Sequence, residues 1–319
     1  MTTMTYLEAS RTALAEELRR SPDVWALGED LGRGGVFGQY RGLLEEFGPE
    51  RICDTPISEA CIMGAAVGAA LTGTRPVVEM RFSDFALCAV DELVNQAAKA
   101  RYMCGGQGAV PLVARQPIGM WRSSAAQHSQ SLEAWYAHIP GLVVVTPGSP
   151  QDNYGLLKAA IRCDDPVVYM EHKAMWQVEG EVDLTAEPTR LGQARTMRSG
   201  GDVTIVSWSG MLHTVMQAAA TLASEGIESE VIDLRTLYPW DKEAVLASAA
   251  RTGRLLVVHE SVAFAGFGAE VAATIAEELG VRVKRLGGPR IPVPYSPSLS
   301  SECEVTAEQV HDAAEKIVR

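Results

Sequence analysis

Two residues invite a chemical reading before any fold is considered. Glu59 stands at the head of DTPISEACIMGAAVGAALTG, residues 54–73, a stretch that is otherwise small and apolar. The plain role for such an acid belongs to helix chemistry. Ser58 can cap a helix, and Glu59 then lies in its first turn, where the macrodipole favours negative charge. The run behind it asks for more. Ala60, Gly64 and Gly68 recur at every fourth residue, so one helix face is nearly bare. Two glycines inside a helix cost about 1 kcal/mol each relative to alanine. Close approach of a backbone or a ligand is the simplest offset. The stretch is too short and too glycine-rich to span a membrane.

His128 is the second candidate. It lies in IGMWRSSAAQHSQSLEAWYAHIP, which runs from a strand end through a polar loop into an aromatic helix. Its neighbours Gln127, Ser129 and Gln130 can all hydrogen-bond. Open α/β sheets bind ligands at the carboxyl ends of their strands, which is where this histidine falls. A satisfied structural histidine is the competing reading, and His138 in WYAHIP fits that description. His172, His213, His259 and His311 form no cluster. Phe82 and Phe85, in MRFSDF, open a helix just after a strand. Aromatics so placed are core residues, or a flat face for a bound ring.

Other chemistries find no support. In DLGRGGVFG, Gly32, Gly34 and Gly38 do not keep GxGxxG spacing, and no helix begins inside the loop. The GxxxxGK(S/T), GxSxG and HExxH signatures are missing. Cys53, Cys61, Cys88, Cys104, Cys163 and Cys303 make no CxxC pair and no zinc-type spacing, which fits a reducing cytoplasm. The opening MTTMTYLEASRTALAEELRR reads as an amphipathic helix rather than a secretion signal or transit peptide. A net charge of -12 argues against nucleic acid or an anionic membrane as partner. Hydrophobic content of 47% and charged content of 21% describe a soluble globular protein with a large core.

The elements that must position these residues alternate along 319 residues. A helix is expected over 5–20, with Leu7, Leu14 and Leu18 on one face. Strand VWALGED follows, then the Glu59 helix and strand PVVEM. DFALCAVDELVNQAAKARYM has a period near 3.6 and reads as one helix. VPLVAR, LVVVTP and PVVYMEH are apolar runs of the kind found in parallel sheets covered on both faces, with a helix at 150–162 between the last two. Residues 176–201 are polar and non-periodic. A second βαβαβαβ series then runs from VTIVSW to VRVKRL. The tail GGPRIPVPYSPSLSSE is expected to be extended. The expected division is a first domain at 1–180, a linker at 181–200 and a second domain at 201–319.

Taken in order, DTPISEACIMGAAVGAA, VVEMRFSDF, ARYMCGG, AAQHSQSLEAWYAHIPGL, EVIDLRTLYPWD and GRLLVVHES resemble one family across nearly the whole chain. It is the β subunit of the thiamine-diphosphate-dependent dehydrogenase component of 2-oxo acid dehydrogenase complexes. SDF, RYM and QHSQSLEAWYAHIPGL resemble the acetoin and pyruvate branches most. The resemblance implies an α/β protein of two doubly wound domains, a pyrimidine-binding domain and a transketolase C-terminal-like domain. It implies that Glu59 binds N1′ of the cofactor's aminopyrimidine. A carboxyl enclosed by small apolar side chains loses hydration and shares a proton more readily. The resemblance gives Phe85 the stacking role beside the pyrimidine, makes Ile57 a cofactor contact, and makes His128 the active-site histidine. It also implies a potassium ion, held mainly by backbone carbonyls at Leu112, Ala160, Ile161, Cys163 and Asp165. Cys163 and Asp165 replace the family's more usual aspartate and asparagine.

The resemblance further implies a divided site. The GDG motif that binds Mg²⁺ and the diphosphate is missing, so an α subunit is expected to supply it in an α2β2 assembly. A lipoylated acyltransferase is the expected acyl acceptor, and a small 2-oxo acid or acetoin the substrate. Two departures stand out. GMWRSSAAQ, with Trp121 and Arg122, replaces a loop that is usually rich in glycine and alanine. PYSPSLSSE lacks the usual PxLE ending. The alternatives are a transketolase-like half enzyme outside the lipoyl complexes, and a non-catalytic structural subunit.

Overall fold

The computed structural model describes all residues from Met1 to Arg319. They form two compact units. The first comprises Met1–Ile118 and Tyr136–Leu191, the second Gly119–Trp135 and Gly192–Arg319. The sequence suggests one passage between domains, at 181–200. The structure adds an earlier excursion, in which the residues around His128 pack with the second unit.

In the first unit, strand β1 (Thr2–Thr5) leads into helix α1 (Tyr6–Arg20). The Thr5 side chain accepts the Glu8 N–H at 3.1 Å and the Glu8 carboxylate accepts the Thr5 N–H at 2.9 Å, a reciprocal cap that starts the helix. Strands β2 (Val24–Gly28), β3 (Ile52–Asp54), β4 (Arg75–Glu79), β5 (Val113–Arg115), β6 (Val143–Val145) and β7 (Val167–Tyr169) lie in the order β6-β7-β5-β4-β2-β3, all parallel. Between them run α2 (Leu43–Phe47), α3 (Glu59–Leu71), α4 (Ser83–Ala86), α5 (Ala98–Met103) and α7 (Pro150–Arg162), while α6 (Glu133–Ala137) begins in the second unit's segment and ends in the first unit. Leu14 and Leu18 of α1 meet Leu157 and Ile161 of α7 over Val77 and Val113 of the sheet.

The helix expected from DFALCAVDELVNQAAKARYM is not uniform. It comprises α4, a 3₁₀ turn at Leu87–Ala89, a π-helical stretch at Asp91–Ala97, and α5. The Asp91 carboxylate accepts the Asn95 amide at 2.7 Å and the Gln96 amide at 3.2 Å, so it ties both the i+4 and the wider i+5 turn.

Residues expected as an unstructured linker hold two strands. β8 (Glu179–Val182) pairs antiparallel with β1, and β9 (Arg195–Arg198) is an antiparallel edge of the second sheet. That sheet also contains β10 (Val203–Ser207), β11 (Ser229–Asp233), β13 (Arg254–Val262) and β14 (Arg282–Gly288), in the order β14-β13-β10-β11-β9. A short strand β12 (Thr236–Tyr238) lies outside it. Helices α8 (Met211–Ser224), α9 (Lys242–Thr252) and α10 (Phe267–Leu279) follow the predicted alternation. The tail contains a short α11 (Pro297–Ser300), and α12 (Ala307–Val318) buries Val310, Ala313, Ala314 and Ile317. No helix is long and apolar enough to cross a membrane.

Candidate active site

The carboxyl ends of the first unit's strands carry a buried charge cluster. Pairing register sets Glu79 beside Arg115, and Arg115 beside Tyr169. Arg115 is fully buried. Its Nε and Nη2 donate to Glu171 Oε2 at 2.9 and 2.6 Å, and Nη2 also donates to Ser10 Oγ at 3.3 Å. Its Nη1 lies 3.8 Å from the Glu79 carboxylate, and its guanidinium sits 5.3 Å from the centre of the Tyr40 ring. Burial pushes the Glu79 carboxyl up to about 7, against the pull of Arg115. Beside it, Arg81 reaches Glu29 at 3.2 Å and Asp30 at 3.3 Å. Gly28 is required here: its φ is 155°, and a Cβ would lie 2.6 Å from the Glu79 carbonyl oxygen. The sequence reading missed this cluster. Its signal is that apolar strand runs end on charges, in PVVE, VAR and VVYME.

Glu59 occupies the first turn of α3, as its spacing predicts. Ser58 is at the N-cap position but makes no side-chain cap, which corrects the expected role; its carbonyl accepts the Ile62 N–H at 2.9 Å. The expected enclosure of Glu59 is also corrected. The acid is half-buried, and Ile57 beside it is 73% exposed. The small residues behind Glu59 form an open face, with Ala60 and Gly68 both exposed. A Cβ on Gly68 would meet nothing within 4 Å, and one on Gly64 only Glu92 Cγ at 3.6 Å.

Phe85 is half-buried at the end of a chain of aromatics. It meets Phe82 edge-on at 5.2 Å, and Phe82 meets Phe37 at 5.8 Å. Lys173 Nζ lies 4.6 Å from the centre of the Phe82 ring. Helix α3 packs against the Leu87–Ala89 turn just after Phe85 and against the π-helical stretch. The helix bearing Glu59 therefore meets the turn that directly follows Phe85.

His128 belongs to the second unit. It ends a 3₁₀ turn, Ala126–His128, and is half-buried. In the loop before it the Arg122 guanidinium stacks on the Trp121 ring at 4.6 Å. A cavity of about 420 Å³ beside this segment is bounded by Ser129, Gln130, Leu132, Glu260, Arg290 and Ile291, among others.

Four of the five carbonyls expected to hold potassium have other partners. Arg75 Nη1 donates to the carbonyls of Ile161 and Cys163, at 3.1 and 3.0 Å. The Leu112 carbonyl accepts the Val167 N–H at 2.9 Å, and that of Ala160 accepts the Cys163 N–H at 3.2 Å. The Asp165 side chain pairs with Arg101. No group of three or more His, Cys, Asp or Glu side chains is arranged to hold a metal ion.

Comparison with known proteins gives a consistent picture. Residues 2–177 match the transketolase pyrimidine binding domain, and residues 192–310 the transketolase C-terminal domain. The chain is 42% identical to the 2-oxoisovalerate dehydrogenase subunit beta of Bacillus subtilis, covering 99% of both chains. It is 42% identical to the beta subunit of acetoin:2,6-dichlorophenolindophenol oxidoreductase of Cupriavidus necator, covering 98% of this chain and 96% of the relative. It is also 42% identical to the pyruvate dehydrogenase E1 component subunit beta of Rickettsia conorii, covering 98% of both. Overall likeness does not separate the three. Among solved structures, a split-gene transketolase described as an inactive beta4 tetramer shares the fold, with a TM-score of 0.83 at 24% identity over 99% of this chain and 98% of that one.

Proposed function

The chain belongs to the family of β subunits of 2-oxo acid dehydrogenase E1 components, and from that premise we propose that it forms the pyrimidine-binding half of a thiamine-diphosphate enzyme. Its substrate class is a small 2-oxo acid or acetoin, and the acyl group passes to the lipoyl arm of a partner acyltransferase. The observation that carries this reading is the half-buried Glu59 carboxylate at the first turn of α3, in a chain alike to such subunits from end to end.

The residues fit an aminopyrimidine. Glu59 offers an acceptor for a proton on a ring nitrogen. Exposed Ile57 and the reachable side of Phe85 offer apolar surface for a flat ring. The bound thiazolium supplies the carbon nucleophile and the electron sink for decarboxylation. Glu59 holds the proton at the pyrimidine and limits its exchange with water once a partner covers α3. His128 suits proton transfer near neutral pH, or contact with the substrate carboxylate. Mg²⁺ and the diphosphate fall to an α subunit, and the assembly is α2β2. Potassium is a poor fit, because it would share two of its five oxygens with the Arg75 guanidinium. No step depends on it.

Glu59→Gln tests this reading. With the α partner it is expected to lower turnover by about 100- to 10,000-fold while assembly persists. Parental turnover in that variant would sink the assignment. Acylation of a lipoylated carrier domain from 2-oxo acids separates this function from a transketolase-like one.

A further inference from the structure

The segment bearing His128 is held against its own backbone preferences. Gly119, Arg122, Ser123 and Ala125 all have positive φ, at 90°, 49°, 53° and 61°. Only the first is glycine. Ala125 combines φ 61° with ψ -168°, a region where a Cβ crowds the flanking backbone. Such conformations persist only where their surroundings impose them.

Two carboxylates meet the segment, one near each end. Near its start, Glu260 accepts the Met120 N–H at 2.6 Å. Near its end, Glu133 is 1% exposed and accepts the Trp208 indole N–H at 3.2 Å. Glu260 lies on β13, and Trp208 directly follows β10, so paired strands meet the two ends. Trp208 is itself fixed, stacked on His259 at 5.2 Å and edge-on to Phe267 at 5.9 Å. All of these residues lie in the second unit.

We infer that Glu260 and Glu133 are positioning residues, clamping the segment in its strained form and so fixing where the His128 imidazole stands. The inference rests on the role proposed above for His128. It gives the second unit a part in the chemistry as well as in assembly. A reacting group displaced by about 1 Å can cost about 100-fold in rate, so a seat of this kind matters.

The test uses the full chain assembled with its α partner. Glu260→Ala is compared with the parent by amide hydrogen exchange and by steady-state kinetics. Faster exchange is expected only across residues 120–128. The kcat is expected to fall about 10- to 100-fold, with KM within about twofold of the parent. Glu133→Met, which removes the oxygen that accepts the Trp208 N–H, should give the same pattern from the other end. His128→Ala, run alongside, separates the two ideas: if it turns over normally, the role of His128 fails and exchange alone judges the clamp. Unchanged exchange in Glu260→Ala overturns the clamp, and so does faster exchange throughout the second unit. Local loosening with parental kcat, where His128→Ala is inactive, overturns the positioning claim. Should the alanine variant fail to assemble, Glu260→Met, of similar length but with no carbonyl or carboxylate oxygen to accept the Met120 N–H, is read by the same criteria.

Discussion

Glu79 sits in an environment that its neighbours in sequence do not imply. It ends an apolar strand, faces a buried guanidinium, and still titrates at about 7 because burial outweighs that pairing. Below its ordinary value of 4.5 the carboxyl is protonated in folded and unfolded chain alike. Between there and about 7 the unfolded chain gives up the proton while the folded chain keeps it. The contribution to stability is full at low pH and is lost as pH rises through the folded value. Glu79→Gln stays neutral and escapes that loss. Its urea midpoint relative to the parent should therefore rise between about pH 5 and about pH 8; a difference flat in pH would remove the argument. At this scale the sequence was only partly legible. Glu59 could be placed in a first helical turn from its spacing. The pairing of Glu79, Arg115 and Glu171 could not, because it depends on which strands become neighbours in the sheet.

At the scale of elements, periodicity was a good guide where one face is buried. Helices α1, α7, α8 and α10 and the parallel strands other than β3 fall close to where their apolar patterns place them. The departures share a cause. Strands β8 and β9 are polar and gain their order from distant partners, β1 and β11, which local pattern does not reveal. Helix α12 was legible in principle, through Thr306 and Gln309 in a reciprocal cap. The ring of His259 shows how closely elements meet in the second unit. A Cβ at Gly266, Gly268 or Gly287 would lie 2.6, 2.6 or 2.8 Å from it. Gly268→Ala is accordingly expected to cost about 1–3 kcal/mol by overpacking. Thermal unfolding of the variant measures this, and an unchanged midpoint would show that the ring can move aside.

For the whole molecule, the bare face of α3 is the feature that this chain alone leaves unexplained. Gly68 is exposed, and a methyl there would touch nothing. Glycine nonetheless costs helix stability, so whatever offsets it comes from outside the chain. Gly68→Ala should stabilise the isolated chain by about 0.5–1 kcal/mol and weaken its association with other subunits. Sedimentation of the mixed subunits checks the second half. Association as tight as the parent's would mean that nothing approaches that face.

The excursion of Gly119–Trp135 also bears on recombination among relatives. A chimera joined at residue 191 inherits its histidine loop from one parent and the floor beneath it from the other. Only an exchange that carries both pieces together keeps a matched pair. Two stretches far apart in sequence are thus bound to descend as one.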